Sequence, residues 1–419
     1  MAEPRRRPRT GSGPSAADGP SVQALNLSAP RADLSGRLVI DIDQALCALV
    51  ACDGSDLHLK VGAVPLARVD GDLVPLGNDE WPVLEAADTE AALHQLVGNS
   101  VRMAEFDVEN EIDLSHDIPG VARFRINAFR QRGGVSLVAR AIPHRIRTID
   151  ELALPAVVAS LADEQRGIVL VTGTTGSGKS TTLAAMIHHV NLTRAAHIVT
   201  IEDPIEFIHR DLRSVISQRE VGTDTASFKR ALRRVLRQDP DVILIGEMRD
   251  EETVATAISA AETGHLVLST IHTIDAAESI NRMLDFFPPH QHSQVRSMLA
   301  GTLRGVISQR LVAAAEGGRV AVCEVLRMTG RARDMILDPA QTGALSEVVA
   351  EGGYYGMQTF DQALYQHVVA GRVTVEDAVM AASSPHDFKL LLESEGRRGT
   401  TMADVPTVAA ATPPLTLVS

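Results

Sequence analysis

Gly173-Thr174-Thr175-Gly176-Ser177-Gly178-Lys179-Ser180 is an unbroken G-x-x-x-x-G-K-[ST] pattern, and its flanks leave the chain little choice of fold. The apolar run Gly167–Thr172 ahead of it predicts a buried strand, and Thr181–Ile187 behind it predicts the start of a helix. In such a strand–loop–helix unit, glycines let the backbone curl until successive N–H groups face a phosphate, and the helix N-terminus adds positive potential. Residues Gly173 through Ser180, with Thr181 behind them, are therefore the expected phosphate contacts. Lys179 is placed to neutralise the β- and γ-phosphates, and the Ser180 hydroxyl to ligate Mg²⁺. The pattern predicts a nucleoside triphosphate site.

The remaining composition narrows the surroundings of that site. At 419 residues there is chain enough for two or three domains, and 45% hydrophobic with 22% charged residues is ordinary for a globular protein. No apolar run approaches the length needed to cross a bilayer. The Arg-, Pro-, Gly- and Ser-rich residues 1–36 predict a disordered tail, as do residues 394–419. A net charge of −13 disfavours nucleic acid as a partner. The local exception is Lys229, Arg230, Arg233, Arg234 and Arg237 on one predicted helix, which suits either a solvated face or a subunit interface. Cys47, Cys52 and Cys323 form no C-x-x-C pair and read as reduced cytosolic thiols.

Two folded units are expected, 37–145 and 150–393, joined by a linker around Pro143. In the first, Asp56–Lys60 and Ala122–Asn127 alternate polar and apolar residues with period two, and Asp70-Gly71 signals a hairpin turn. In the second, the strands Ile198–Ile201, Val242–Ile245 and Leu266–Ser269 alternate with the helices Ser227–Arg237 and Glu251–Thr263. That order predicts an α/β fold with a parallel sheet covered by helices, and beyond about Met328 the chain reads as helical.

Three clusters lie at predicted strand ends, where loops converge in parallel sheets. Glu202-Asp203-Pro204-Ile205-Glu206 offers carboxylates to orient a water or to hold Mg²⁺ through its waters, with Asp203 the metal candidate. Asp241–Glu247 is a buried strand ending in an acid, with Gly246 where the Walker-B pattern usually has Asp. His265 and His272 bracket one strand and emerge at its opposite ends, which fits no zinc motif and favours phosphate sensing.

Assembled, these clusters resemble the type II/type IV secretion ATPase superfamily, and within it the PilT-type pilus retraction ATPases. Ile198–Phe207 resembles that family's Asp box, Gly246–Asp250 its Walker-B end, and Thr263–Thr273 its His box. Ser55–Leu59, Arg68–Gly71 and Pro119–Phe129 resemble its PAS-like N-terminal domain, and Leu303–Leu311 with Gly356–Leu364 its C-terminal region. The resemblance spans roughly residues 37–393. It implies a RecA-like P-loop ATPase core with a PAS-like α+β N-terminal domain and a helical C-terminal region. It implies ATP and Mg²⁺ as cofactors, Glu202, Glu206, Glu247, His265 and His272 in catalysis and coupling, and Arg123, Arg125 and Arg140 reaching the phosphates. It further implies a cytoplasmic homohexamer at the inner face of the membrane, acting through a platform protein and only indirectly on pilin. No four-cysteine module of the assembly type is present, which favours retraction over pilus assembly or type II secretion; a nucleotide-binding regulatory partner of another motor is the alternative from another class. One stretch departs from the retraction pattern A-I-R-N-L-I-R-E: Arg331–Asp338 keeps only Arg333 and Ile336, with Asp338 conservative.

Overall fold

The computed structural model describes residues 40–399 apart from 70, 78–80, 99 and 143–144, and the side chains only as far as 394. The expected tails thus lie almost wholly outside the described residues, as do Asp70 of the hairpin turn and Pro143 of the linker. The chain divides into two compact units between Arg145 and Ile146.

The first unit is α+β. Its elements are α1 (Ile42–Ala51), β1 (Asp56–Lys60), β2 (Leu66–Val69), β3 (Asp72–Pro75), α2 (Ala86–Val97), α3 (Ser100–Glu109), β4 (Glu111–Ile118), β5 (Ala122–Gln131) and β6 (Gly134–Ile142). The six strands form one antiparallel sheet in the order β3-β2-β1-β6-β5-β4. Asp41 caps α1 by accepting the N–H groups of Asp43 and Gln44. Ile42, Ala45, Leu46 and Leu49, at one-face helical spacing, then pack into the core shared with the sheet. The period-two reading of β5 holds: Phe124, Ile126 and Ala128 are buried, while Arg123, Arg125 and Asn127 take the other face.

The second unit carries the phosphate loop. In order come α4 (Val157–Ala162), β7 (Gly167–Thr172), α5 (Lys179–Thr193), β8 (His197–Glu202), β9 (Val215–Glu220), α6 (Phe228–Val235), β10 (Val242–Ile245), α7 (Glu251–Glu262) and β11 (Leu266–Ile271). Then follow α8 (Ala276–Asp285), α9 (His292–Thr302), β12 (Leu303–Ala313), β13 (Arg319–Arg327), α10 (Gly330–Leu337), α11 (Leu345–Glu351), α12 (Phe360–Val369), α13 (Val375–Ala381) and α14 (Pro385–Gly399). The seven-stranded sheet runs β13-β12-β7-β11-β10-β8-β9, parallel from β12 to β9, with β13 closing one edge antiparallel to β12. β7 lies in its interior, between β12 and β11. Its side chains divide between two cores: Ile168 and Leu170 enter one, Val169 and Val171 the other. All four are at most 1% exposed, and burying each is worth about 1.5–3 kcal/mol, so the strand that presents the loop is firmly fixed.

The α/β class and the helical C-terminal region are as expected, with two additions. Leu303–Ala313 and Arg319–Arg327 form a hairpin joined to β7, and the last helix continues to Gly399, past residue 393. The retained residues of the departed stretch hold α10 in place. Ile336 is fully buried, and Arg333 Nε donates to the Ala300 carbonyl at 3.0 Å.

Candidate nucleotide site

The loop after β7 turns through left-handed backbone at Gly173, with φ of 144°, and at Gly178, with φ of 90°. Space enforces the same residues. A Cβ on Gly173 would lie 2.4 Å from the Gln309 carbonyl, and one on Gly178 would lie 2.7 Å from Gln309 Nε2. Gly178 is the N-cap of α5 and offers no side-chain acceptor, so the first-turn N–H groups of the helix are left for an external anion. Lys179 is 9% exposed, and its Nζ donates to the carbonyls of Gly173 and Thr174 at 2.9 Å each. Burial pushes its pKa down, while the charges of Glu247 and Glu206 oppose that shift. The fold has thus brought one carboxylate from each of two strand ends to the phosphate-loop lysine. A cleft of about 290 Å³ opens beside the loop, bounded by Thr174, Thr175, Ile274, Arg310, Leu311 and Arg319.

The acids differ in what holds them. Glu202, at the end of β8, accepts from Thr200 Oγ1 at 2.7 Å and Gln218 Nε2 at 3.2 Å. Burial raises its pKa, and the neighbouring Glu206 adds to the rise. Asp203 is exposed, whereas Glu206 is half-buried. A residue the sequence did not single out shapes this turn: Glu220, 6% exposed at the end of β9, accepts the Ile205 N–H at 3.1 Å.

Glu247 has a nitrogen-bearing side chain against each oxygen. Arg249 Nε and Nη2 both donate to Oε2 at 2.7 Å, and His272 Nε2 stands 3.4 Å from Oε1. That bond raises the Arg249 pKa further, with Asp203 contributing. Glu247, Arg249 and His272 line a second cleft of about 280 Å³ with Glu278, Arg282 and Phe286. At Gly246 a Cβ would sit 3.3 Å from the Ile201 carbonyl, tighter than most such contacts, and 3.4 Å from Glu202 Cα.

His265 is not brought to the loop. β11 runs parallel to β7 with Leu266 beside Gly167 and Ile271 beside Thr172, so His272 is at the loop end and His265 at the far end. Seven residue steps at about 3.3 Å each put roughly 23 Å between them. The His265 ring instead bonds Ala260 O at 2.9 Å and Thr263 Oγ1 at 3.2 Å, tying the turn between α7 and β11. Of the two histidines at opposite ends of this strand, only His272 is at the phosphate-loop end.

Arg123, Arg125 and Arg140 share one face of the first unit's sheet, Arg125 lying directly across from Arg140. Arg140 Nε donates to Asp56 Oδ1 at 2.8 Å. Burial alone would push the Asp56 carboxyl up; the bonds from Ser55 and Arg140 more than reverse this and leave it low. On α6, Lys229 and Arg233 pair with Glu252 of α7, so part of the basic cluster is matched within the unit.

Ser180 and Thr181 lie in the first turn of α5, where a hydroxyl can reach a metal bound to phosphate. Among the described residues no group of three His, Cys, Asp or Glu side chains forms a metal cage. A first-turn hydroxyl such as that of Ser180 is the kind of single donor that Mg²⁺ takes beside phosphates and water. No helix among the described residues is long and apolar enough to cross a membrane.

Residues 103–316 match the family described as type II/IV secretion system protein. The type IV pilus retraction ATPase PilT of Pseudomonas aeruginosa is 44% identical over 349 residues, which cover 83% of this chain and 100% of that protein. The type IV pilus ATPase PilU of the same organism is 41% identical, over 84% of this chain and 92% of its own length. A crystal structure of the pilus retraction motor PilT with bound ADP superposes with a TM-score of 0.77 at 41% identity, covering 84% of this chain and 99% of that one. Agreement of that extent, through both units and with the phosphate loop intact, places the chain in the type II/IV secretion ATPase family, among its PilT-type pilus retraction ATPases.

Proposed function

We propose that this protein hydrolyses ATP as a homohexameric motor that retracts a type IV pilus or a related filament, from the cytoplasmic side and through an inner-membrane platform protein. The observation that carries this reading is the similarity to a pilus retraction ATPase along that protein's whole length, with every part of the phosphate loop present.

The chemistry follows from the residues around Lys179. The curled loop offers N–H groups to the phosphates, and the Lys179 ammonium moves from its two carbonyl partners to the γ-phosphate oxygens. Mg²⁺, held by Ser180 and the phosphates with Asp203 through water, would screen the charge that develops on the leaving group. Glu247 and Glu206 orient and deprotonate the attacking water. Glu247 must first exchange its Arg249 and His272 contacts for that water, which makes His272 the group that reports phosphate state. Glu202, held by Thr200 and Gln218, supports the turn that carries Glu206. Arg123, Arg125 and Arg140 have guanidinium forks suited to phosphate oxygens.

The test pairs biochemistry with motility. Lys179→Ala should retain less than about a tenth of wild-type turnover at saturating ATP, a barrier rise above roughly 1.4 kcal/mol. The wild-type gene, and not that variant, should restore twitching to a retraction-deficient host. ATP hydrolysis without restored retraction would refute the pilus role and leave the ATPase standing.

A further inference from the structure

Gln309 stands out among the residues of β12. It is 3% exposed, in a strand otherwise buried largely by apolar side chains, and it spends its whole amide on the phosphate loop and the helix behind it. Nε2 donates to the Ser177 carbonyl at 2.8 Å, and Oε1 accepts from Thr182 Oγ1 at 2.6 Å. The same residue's own carbonyl is the atom that a Gly173 side chain would strike, and its Nε2 the atom that a Gly178 side chain would strike. One residue earlier, Ser308 Oγ accepts from Thr172 Oγ1 at 3.1 Å and fixes the root of the loop.

The peptide plane between Ser177 and Gly178 gives these contacts a consequence. In a trans peptide the C=O and the following N–H point in opposite directions. Holding the Ser177 carbonyl on Gln309 therefore aims the Gly178 N–H away from β12. An N–H in this loop is a phosphate donor only when it is so aimed. Thr182 lies one turn into α5, so its bond to Oε1 sets the helix N-terminus against the same anchor. Glutamate lacks the donor, methionine has neither group, and asparagine is a methylene short.

We propose that Gln309 is a positioning residue of the nucleotide site, which pre-sets the phosphate loop in its receiving curl. The inference rests on the reading of that loop as an ATP site. A loop already curled does not have to be ordered when nucleotide arrives, and that saving appears as affinity.

Full-length wild type, Gln309→Met, Gln309→Glu, Thr182→Val and Thr182→Ser are titrated with a fluorescent ADP analogue and assayed with ATP. Gln309→Met should weaken ADP binding about tenfold, near 1.4 kcal/mol. KM should rise by a similar factor, with kcat within about threefold of wild type. Gln309→Glu, which keeps the acceptor and loses the donor, should lie near Gln309→Met. Thr182→Val should weaken binding about threefold, Thr182→Ser should restore it, and Thr182→Val should add less than twofold in the Gln309→Met background. Wild-type affinity in Gln309→Met or Gln309→Glu overturns the proposal, as does full multiplication of the two substitutions. Lower thermal stability with unchanged affinity also overturns it, by making Gln309 merely structural. Should Gln309→Met fail to fold, Gln309→Glu and the Thr182 pair carry the same decision. A wild-type chain that binds no ADP overturns the ATP-site reading itself, and this proposal falls with it.

Discussion

Glu324 should be a stability burden at neutral pH that one isosteric change removes. It sits on β13, half-buried, with Oε1 accepting the N–H of Ala276 at the start of α8 at 3.1 Å. Burial pushes its pKa from 4.5 to about 6, helped by Asp275 and opposed by that bond and by Arg310. An acid whose pKa is raised by folding stabilises the native state only while it is protonated. Its contribution is complete below 4.5 and is lost as the pH climbs through about 6. The displacement is worth about 2 kcal/mol. That displacement is already net of the bond from Ala276 at the start of α8, so burial wins by about 1 kcal/mol or more. Glu324→Gln keeps the acceptor for Ala276 and discards the charge. Its melting temperature at pH 7.5 should exceed that of wild type by at least about 2–4 °C, and the gap should close as the pH falls to 5. Equal melting temperatures at pH 7.5, or a gap that widens on acidification, would refute the reasoning.

Glu206→Gln and Glu247→Gln should bind ATP within a few-fold of wild type and lose most hydrolysis, since each keeps shape and hydrogen bonding without a base; loss of nucleotide binding in an equilibrium titration would assign that residue a structural or metal-holding role instead. His209 behaves opposite to Glu324. Burial, with His188 nearby, depresses its pKa from 6.5 to about 4, so stability present above 6.5 should drain away by about 3 kcal/mol as the pH falls towards 4, and denaturant unfolding of His209→Gln across that range should lack the loss. If rings are the working form, turnover per subunit should rise with protein concentration, and doping Lys179→Ala into wild type should depress activity by more than its mole fraction; strictly proportional loss would mean that the subunits fire independently.

Legibility followed sequence locality. β5 announced its buried face because alternation is written in consecutive residues. β12 did not: Leu303–Ala313 is largely buried, as an interior strand covered on both faces is, and no period marks it. Glu220 was equally silent, since an acid at a strand end looks like any solvated acid until its loop folds over Ile205.

The phosphate loop, its lysine and its serine were determined by the sequence alone, because curl, charge and hydroxyl belong to adjacent residues and need no partner to be recognised. That His265 and His272 emerge at opposite ends of a strand was also readable from their spacing. Which of them faces the phosphates was not. Only the parallel register of β11 with β7 decides it, since that pairing sets which strand end meets the loop. Gln309 is decided in the same way. Its bonds reach back 132 residues to Ser177 and 127 residues to Thr182, and contacts of that span exist only once β12 has been laid against β7.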